Sequence, residues 1–290
     1  MICIVDIPDK YIKTMLDYAQ IKADLATRGY ALVPLLSDTQ LAEIYQDISH
    51  YLAHLPRREG SQIHLSPEEL VAPLSRERVK ALRSIWPLHH TFGAPVEATA
   101  FQLPSVCRLR EDPDLYALYR ELLGSSDLLV NTDRFCCKLP GSGETEFIHI
   151  DGDPHYTRDA DPADYQSMIF ATDSCFYAIP GSHTEAYHQN MVSHYTYLER
   201  RAKPRTMTMI DRKRDPLDLE GQLETIQVPK GSLLIWSDRL WHASKPNRGP
   251  GLRLALYFGY QRLDGLARGV TREASVASWQ TGRRPPHYPS

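Results

Sequence analysis

The stretch Thr145-Glu146-Phe147-Ile148-His149-Ile150-Asp151-Gly152-Asp153 sets an imidazole and a carboxylate two residues apart, directly after a short apolar run. On an extended strand, residues i and i+2 point to one face, so His149 and Asp151 are expected to converge on one ion. Far downstream, His242 supplies a second imidazole. Two histidines and one carboxylate suit non-haem Fe(II), with positions left open for substrate and dioxygen. A His-x-Asp pair alone is weak, because 12 histidines make one chance match unsurprising. Its setting is stronger: an expected strand, reached through the turn cluster Leu139-Pro140-Gly141-Ser142-Gly143.

The downstream partner lies in Val228-Pro229-Lys230-Gly231-Ser232-Leu233-Leu234-Ile235-Trp236, a buried strand that runs through a turn to Leu240-Trp241-His242-Ala243-Ser244. Beyond it, Arg253 interrupts the apolar run Leu252 to Phe258. A guanidinium flanked by Leu252 and Leu254 needs a partner, either an internal carboxylate or a bound small-molecule carboxylate held bidentately. On the strand that leads to the first turn, Arg134, Cys136 and Lys138 alternate onto one face. That face either solvates its cations or offers Arg134 and Lys138 to a ligand.

Elsewhere the chain reads as ordinary globular protein. It has 290 residues, 42% hydrophobic and 24% charged, with a net charge of −3 that gives no general attraction for nucleic acid. No apolar run approaches the ~20 residues of a membrane helix. The N-terminus lacks a signal-peptide pattern, and five scattered cysteines argue against a disulfide framework or a thiolate zinc site. A cytoplasmic protein is expected. Helical periodicity covers residues 10–30, ended by Gly29, then a strand from Tyr30 and a helix capped by Ser37 or Asp38. Further helices are expected at Arg76–Ile85 and Asp114–Leu123. After Gly124 come short strands punctuated by Pro and Gly. A mainly β fold follows, a β-sandwich or jelly roll buttressed by flanking α-helices from a helical N-terminal third. Nothing forces a domain boundary, so one domain is expected: support in 1–124, core in 125–262 and a C-terminal extension in 263–290.

His149-x-Asp151, Ile179-Pro180-Gly181-Ser182-His183 and the block from Val228 to Arg253 together resemble the phytanoyl-CoA dioxygenase-like family of Fe(II)/2-oxoglutarate-dependent oxygenases. The resemblance covers roughly residues 25–262 and implies a double-stranded β-helix, the cupin-like jelly roll. It also implies that His149, Asp151 and His242 bind Fe(II), and that Arg253 and Ser244 grip the distal carboxylate of 2-oxoglutarate. Relatives often place a Ser or Thr two residues after the Arg; Ala255 stands there, which favours Ser244. Halogenating relatives replace the carboxylate ligand by a small residue, so Asp151 favours hydroxylation, with O2 consumed and succinate and CO2 released. A small-molecule or carrier-bound substrate is implied, its determinants expected in the 86–93 segment, the acidic 151–164 loop and the 185–221 insertion. His183-Thr184-Glu185 competes with the first pair, but a turn does not aim i and i+2 alike. The rival readings are a non-catalytic metal- and carboxylate-binding protein and a cupin-type oxygenase without cosubstrate.

Overall fold

The computed structural model describes residues 16–54, 62–86, 91–92, 103–130, 135–142, 147–155, 165–199 and 207–263, with residues 271, 273–274, 277 and 281 beyond them. The first helix, α1 (Tyr18–Arg28), is capped by the Asp17 side chain and ends at Gly29, whose φ of 81° is left-handed. Strand β1 (Tyr30–Pro34) follows at once, and α2 (Asp38–His54) comes next. Ser37 and Gln40 form a reciprocal capping box there, Gln40 N–H to Ser37 Oγ at 3.3 Å and Ser37 N–H to Gln40 Oε1 at 2.9 Å. Helix α3 (Arg76–Arg83) falls where the periodicity places it, as does α5 (Pro113–Leu123), while the short α4 (Pro104–Arg110) carries too few residues to show a period. The expected strand from Leu128 to Lys138 is two strands, β3 (Leu128–Val130) and β4 (Phe135–Lys138).

The remaining strands build two antiparallel sheets. A six-stranded major sheet has the order β1, β10 (Ser232–Ser237), β6 (Tyr165–Phe170), β12 (Arg253–Tyr257), β4 and β2 (Thr91–Phe92). A five-stranded minor sheet has the order β8 (Thr208–Met209), β5 (Ile148–Ile150), β11 (His242–Ala243), β7 (Ser174–Ala178) and β9 (Glu224–Val228). A two-stranded ribbon pairs β3 with β13 (Tyr260–Arg262). From β4 to β7 the chain alternates between the two sheets, and from β10 to β12 it does so again. This is the winding of a double-stranded β-helix, a jelly-roll form.

Strand alternation sorts the apolar residues into layers. Leu233, Ile235, Leu254 and Leu256 face outward from the major sheet into a core shared with the N-terminal helices. Leu234, Trp236, Phe170 and Ala255 face inward and meet Phe176 and Ala178 of the minor sheet. The minor sheet's outer face, Ile148, Ile150 and Ala243, packs under Met191 and Tyr195 of the 185–221 insertion, with Ile210 and Leu219. That insertion, read from sequence as polar with helical patches and as a seat of substrate determinants, is therefore partly structural: α6 (Glu185–His194) roofs the sheet and β8 adds its edge strand. Each large apolar side chain fully buried there contributes about 2 kcal/mol. Among the described residues, no helix is long and apolar enough to cross a membrane.

Candidate metal centre

Between the two sheets, the inner face of the minor sheet brings the distant histidines together. His149 on β5 and His242 on β11 are directly opposed, their ring centroids 4.2 Å apart. Asp151 stands just past β5, where its N–H donates to the Asp238 carbonyl at 3.0 Å. Its Oδ1 lies 4.0 Å from His149 Nε2, and its Oδ2 lies 3.5 Å from His242 Nε2. Among the described residues this is the one group of three or more potential ligand side chains, its donor atoms all within 4.8 Å of one another. An ion about 2.1 Å from each donor spaces them roughly 3 Å apart, a small contraction of what is present.

The backbone selects the tautomers. His242 Nδ1 donates to the Leu240 carbonyl at 2.8 Å, and His149 Nδ1 faces the Phe147 carbonyl at 3.4 Å. Each ring is left with its Nε2 lone pair aimed at the carboxylate. Burial holds His242 down to about 4. Burial first, then the His242 ring, does the same for His149, so both imidazoles are neutral at pH 7. Burial pushes the Asp151 carboxyl above its usual value, against the opposing pull of His149 and the Gln166 amide. Asp151 Oδ2 is buried and has no hydrogen-bond partner. A buried carboxylate oxygen left unpaired beside two neutral imidazoles is the electrostatic complement of a cation, and the donor set fits one. Phe176 stacks on the His242 ring at 5.6 Å and Trp236 tilts against it at 5.6 Å, which holds the ring and keeps water from it.

Facing this group across the sandwich is a cluster of positive charge. Arg253 on β12 and Lys138 on β4 are register partners, both on the inner face of the major sheet. Lys138 Nζ donates to Ser244 Oγ at 2.7 Å and to the Lys245 carbonyl at 3.1 Å, and Arg253 Nη1 donates to the same carbonyl at 3.2 Å. Among the described residues, no carboxylate lies within ion-pair distance of Arg253, so the internal-ion-pair reading does not hold there. Lys138 is 3% exposed, which removes the solvated-face reading for it. Ser244 follows His242 by two residues, so its Cα is at most roughly 7 Å away. Two cations and a hydroxyl therefore stand beside the metal-type donors, and a dicarboxylate could span the gap.

Other sequence candidates separate from the site. His183 Nε2 bonds the Ala26 carbonyl at 3.2 Å and Glu185 pairs with Arg239 at 2.9 Å, so the competing His-x-Glu pair is structural. His155 bonds the Leu198 carbonyl and Asp153 caps the His155 N–H at 3.0 Å. Asp173 accepts the Lys230 N–H at 2.8 Å, and β7 pairs with β9 from Ser174 onward. Arg134, the segment 87–90 with His89 and His90, the loop residues Asp159, Asp161 and Asp164, and residues 282–290 lie outside the described residues. Sequence reasoning missed Phe176 and Trp236; the sole signal was an aromatic residue just ahead of the 179–183 turn and another at the end of the buried 232–236 strand.

Solved structures share this fold. The non-heme alpha ketoglutarate dependent carbocyclase SnoK from nogalamycin biosynthesis aligns with a TM-score of 0.54 at 19% identity, over 89% of this chain and 89% of that one. EctD from S. alaskensis, solved with 2-oxoglutarate and 5-hydroxyectoine, aligns with a TM-score of 0.56 at 16% identity, over 86% of this chain and 78% of that one. HygX from Streptomyces hygroscopicus, solved with nickel, 2-oxoglutarate and hygromycin B, aligns with a TM-score of 0.51 at 14% identity, over 84% and 87%. At such identities the likeness is one of fold. No curated protein sequence matches the chain. The phytanoyl-CoA dioxygenase (PhyH) family model matches residues 26–255, a span that holds the triad and the cationic cluster, and the chain belongs to that family.

Proposed function

We propose that this chain is an Fe(II)/2-oxoglutarate-dependent oxygenase that hydroxylates an unactivated C–H bond of a small molecule or carrier-bound metabolite. The observation that carries the reading is the meeting of two unlike sites across one gap. Three metal-type donors lie on or just past strands of the minor sheet, two cations lie on the major sheet, and Ser244, two residues past His242, takes a hydrogen bond from one of those cations. His149, Asp151 and His242 would hold the iron, the imidazoles through Nε2 and Asp151 through its unpartnered oxygen. Arg253, Ser244 and Lys138 would hold the distal carboxylate of 2-oxoglutarate, with Arg134 a further candidate from its place on the same run of chain. When bound, iron, 2-oxoglutarate and O2 supply the oxidation of a C–H bond, coupled to release of succinate and CO2. The protein positions these reactants and excludes water, which Phe176 and Trp236 do on the His242 side. A carboxylate clamp would equally serve a non-catalytic metal- and carboxylate-binding protein, and release of succinate on turnover is what separates the two readings.

The same reading treats the chain as one domain, with 1–124 as helical support, 125–262 as core and 263–290 as a C-terminal extension. A single apolar core shared by the N-terminal helices and the major sheet supports it. A cytoplasmic location and the absence of nucleic-acid or membrane partners belong to the proposal as well. Anaerobic addition of Fe(II) and 2-oxoglutarate should produce a weak visible charge-transfer band. A succinate-release screen against a metabolite panel then names the substrate. No band from iron-loaded protein, or a band unchanged in Asp151→Ala, would sink the assignment.

A further inference from the structure

In an antiparallel sheet, directly opposed residues share one face, so each register position is a row of side chains. One such row on the inner face of the minor sheet is Met209, His149, His242 and Ala178. Met209 thus flanks His149 on the side away from His242. Carried two residues further, the β8–β5 register sets Met207 beside Asp151. The Ile210 N–H bond to the Ile148 carbonyl, 3.0 Å, and the Thr208 hydroxyl bond to the Gly152 carbonyl, 2.7 Å, hold that alignment at both ends.

Both thioethers face water, Met207 at 41% exposure and Met209 at 48%. Among the described residues, Val71 at 48% is the other large hydrophobic side chain so exposed. Single exposed apolar residues are ordinary and need no explanation. Two of three, in one short stretch and in register with two metal-type donors, form a patch. Phe147 extends it, its ring 5.1 Å from that of His149. Methionine suits an adaptable contact, being unbranched, polarizable and tolerant of varied shapes.

We propose that Met207 and Met209 form an apolar lip that holds the hydrophobic, non-reacting part of the substrate, an alkyl chain, beside the metal donors. The lip is a specificity element. It rests on the function proposed above only for where the reacting carbon goes. A polar substrate would leave these two side chains in water and gain nothing from them.

The test uses the full chain labelled with [methyl-13C]methionine, six methyl signals in all, assigned through Met207→Gln and Met209→Gln. Mn(II) added anaerobically should broaden the Met207 and Met209 methyls, as expected for side chains beside the triad. In Zn(II)-loaded protein, 1-butanol, 1-hexanol and 1-octanol should shift both methyls saturably, the affinity rising about two- to four-fold per methylene. Each Gln variant, followed through the remaining methyl, should flatten that rise while keeping the Mn(II) broadening. Mn(II) broadening with no alkanol response, or an undiminished chain-length dependence in both variants, would overturn the lip. Shifts that follow protein concentration instead of alkanol would overturn it too, by making the strip a contact between copies. An alkanol response without Mn(II) broadening would count against the metal assignment alone.

Discussion

Replacing Lys138 by Met should weaken 2-oxoglutarate binding without harming the fold. Lys138 Nζ sits 2.7 Å from Ser244 Oγ, is 3% exposed, and shares a register position with Arg253. A hydrogen bond to a charged partner in such a site is worth about 1.5–3 kcal/mol, so the affinity should fall about ten- to a hundred-fold. Stability should move the other way or not at all. Two like charges on opposed residues repel, and Lys138→Met removes one while the Lys245 carbonyl keeps its bond from Arg253 Nη1 at 3.2 Å. The assay is an anaerobic titration of 2-oxoglutarate into Fe(II)-loaded protein, followed by the visible charge-transfer band. Arg253→Leu serves as the positive control, and urea unfolding of the metal-free protein reports the fold. Wild-type affinity in Lys138→Met, with affinity lost in Arg253→Leu, would show that Lys138 merely ties β4 to the Ser244 segment.

Three further outcomes are expected. Metal at a hundred times its Kd should stabilise the wild type by about 2.7 kcal/mol and Asp151→Ala not at all, while the metal-free variant unfolds no earlier than wild type because an unpartnered buried oxygen is gone; thermal melts with and without Zn(II) read both, and an unchanged metal shift in the variant would exclude Asp151 as a ligand. Gly231→Ala should cost more than about 2 kcal/mol in urea unfolding, since φ is +79° and the new Cβ would lie 2.8 Å from the Leu36 carbonyl oxygen, main chain that no rotamer change can move; a loss under 1 kcal/mol would mean the turn relaxes freely. Burial, then Arg239, holds His188 down to about 4, so its unfolded form binds the proton first: stability is full above about 6.5 and falls by up to about 3 kcal/mol as pH drops from there to about 4. His149 and His242, also held down to about 4, add to the fall over the same range, so His188→Gln, which can still donate to the Arg239 carbonyl, should remove only its own share of the slope, and an identical profile would assign the acid sensitivity to the other groups.

The elements most legible in sequence were those whose signals are local. Gly29 as a helix cap, Ser37 as an N-cap of the next helix, and the Pro-Gly turns each depend on a few consecutive residues. The candidate ligands were legible because an imidazole and a carboxylate two apart are chemically distinctive wherever they lie. Less legible were short elements: α4 has too few turns to show a period, and β8 has two strand residues amid a polar insertion. Lys138 read first as a solvated strand residue and second as a ligand contact, because alternation tells which residues share a face and not what that face meets.

The sequence by itself determined the donor chemistry of His149, Asp151, His242, Ser244 and Arg253, the mainly β class, and the helical support at the N-terminal end. Only the tertiary structure decided that β5 and β11 are neighbours, which sets His149 opposite His242 across a separation no local pattern encodes. It also decided that Lys138 is buried against Ser244 and that Met207 and Met209 stand exposed beside the triad. The physical reason is register. A one-residue slip between strands turns every side chain to the other face, and register is set by the whole sandwich, where inward Leu234 and Trp236 must meet Phe176 while outward Leu233 and Ile235 meet the helices.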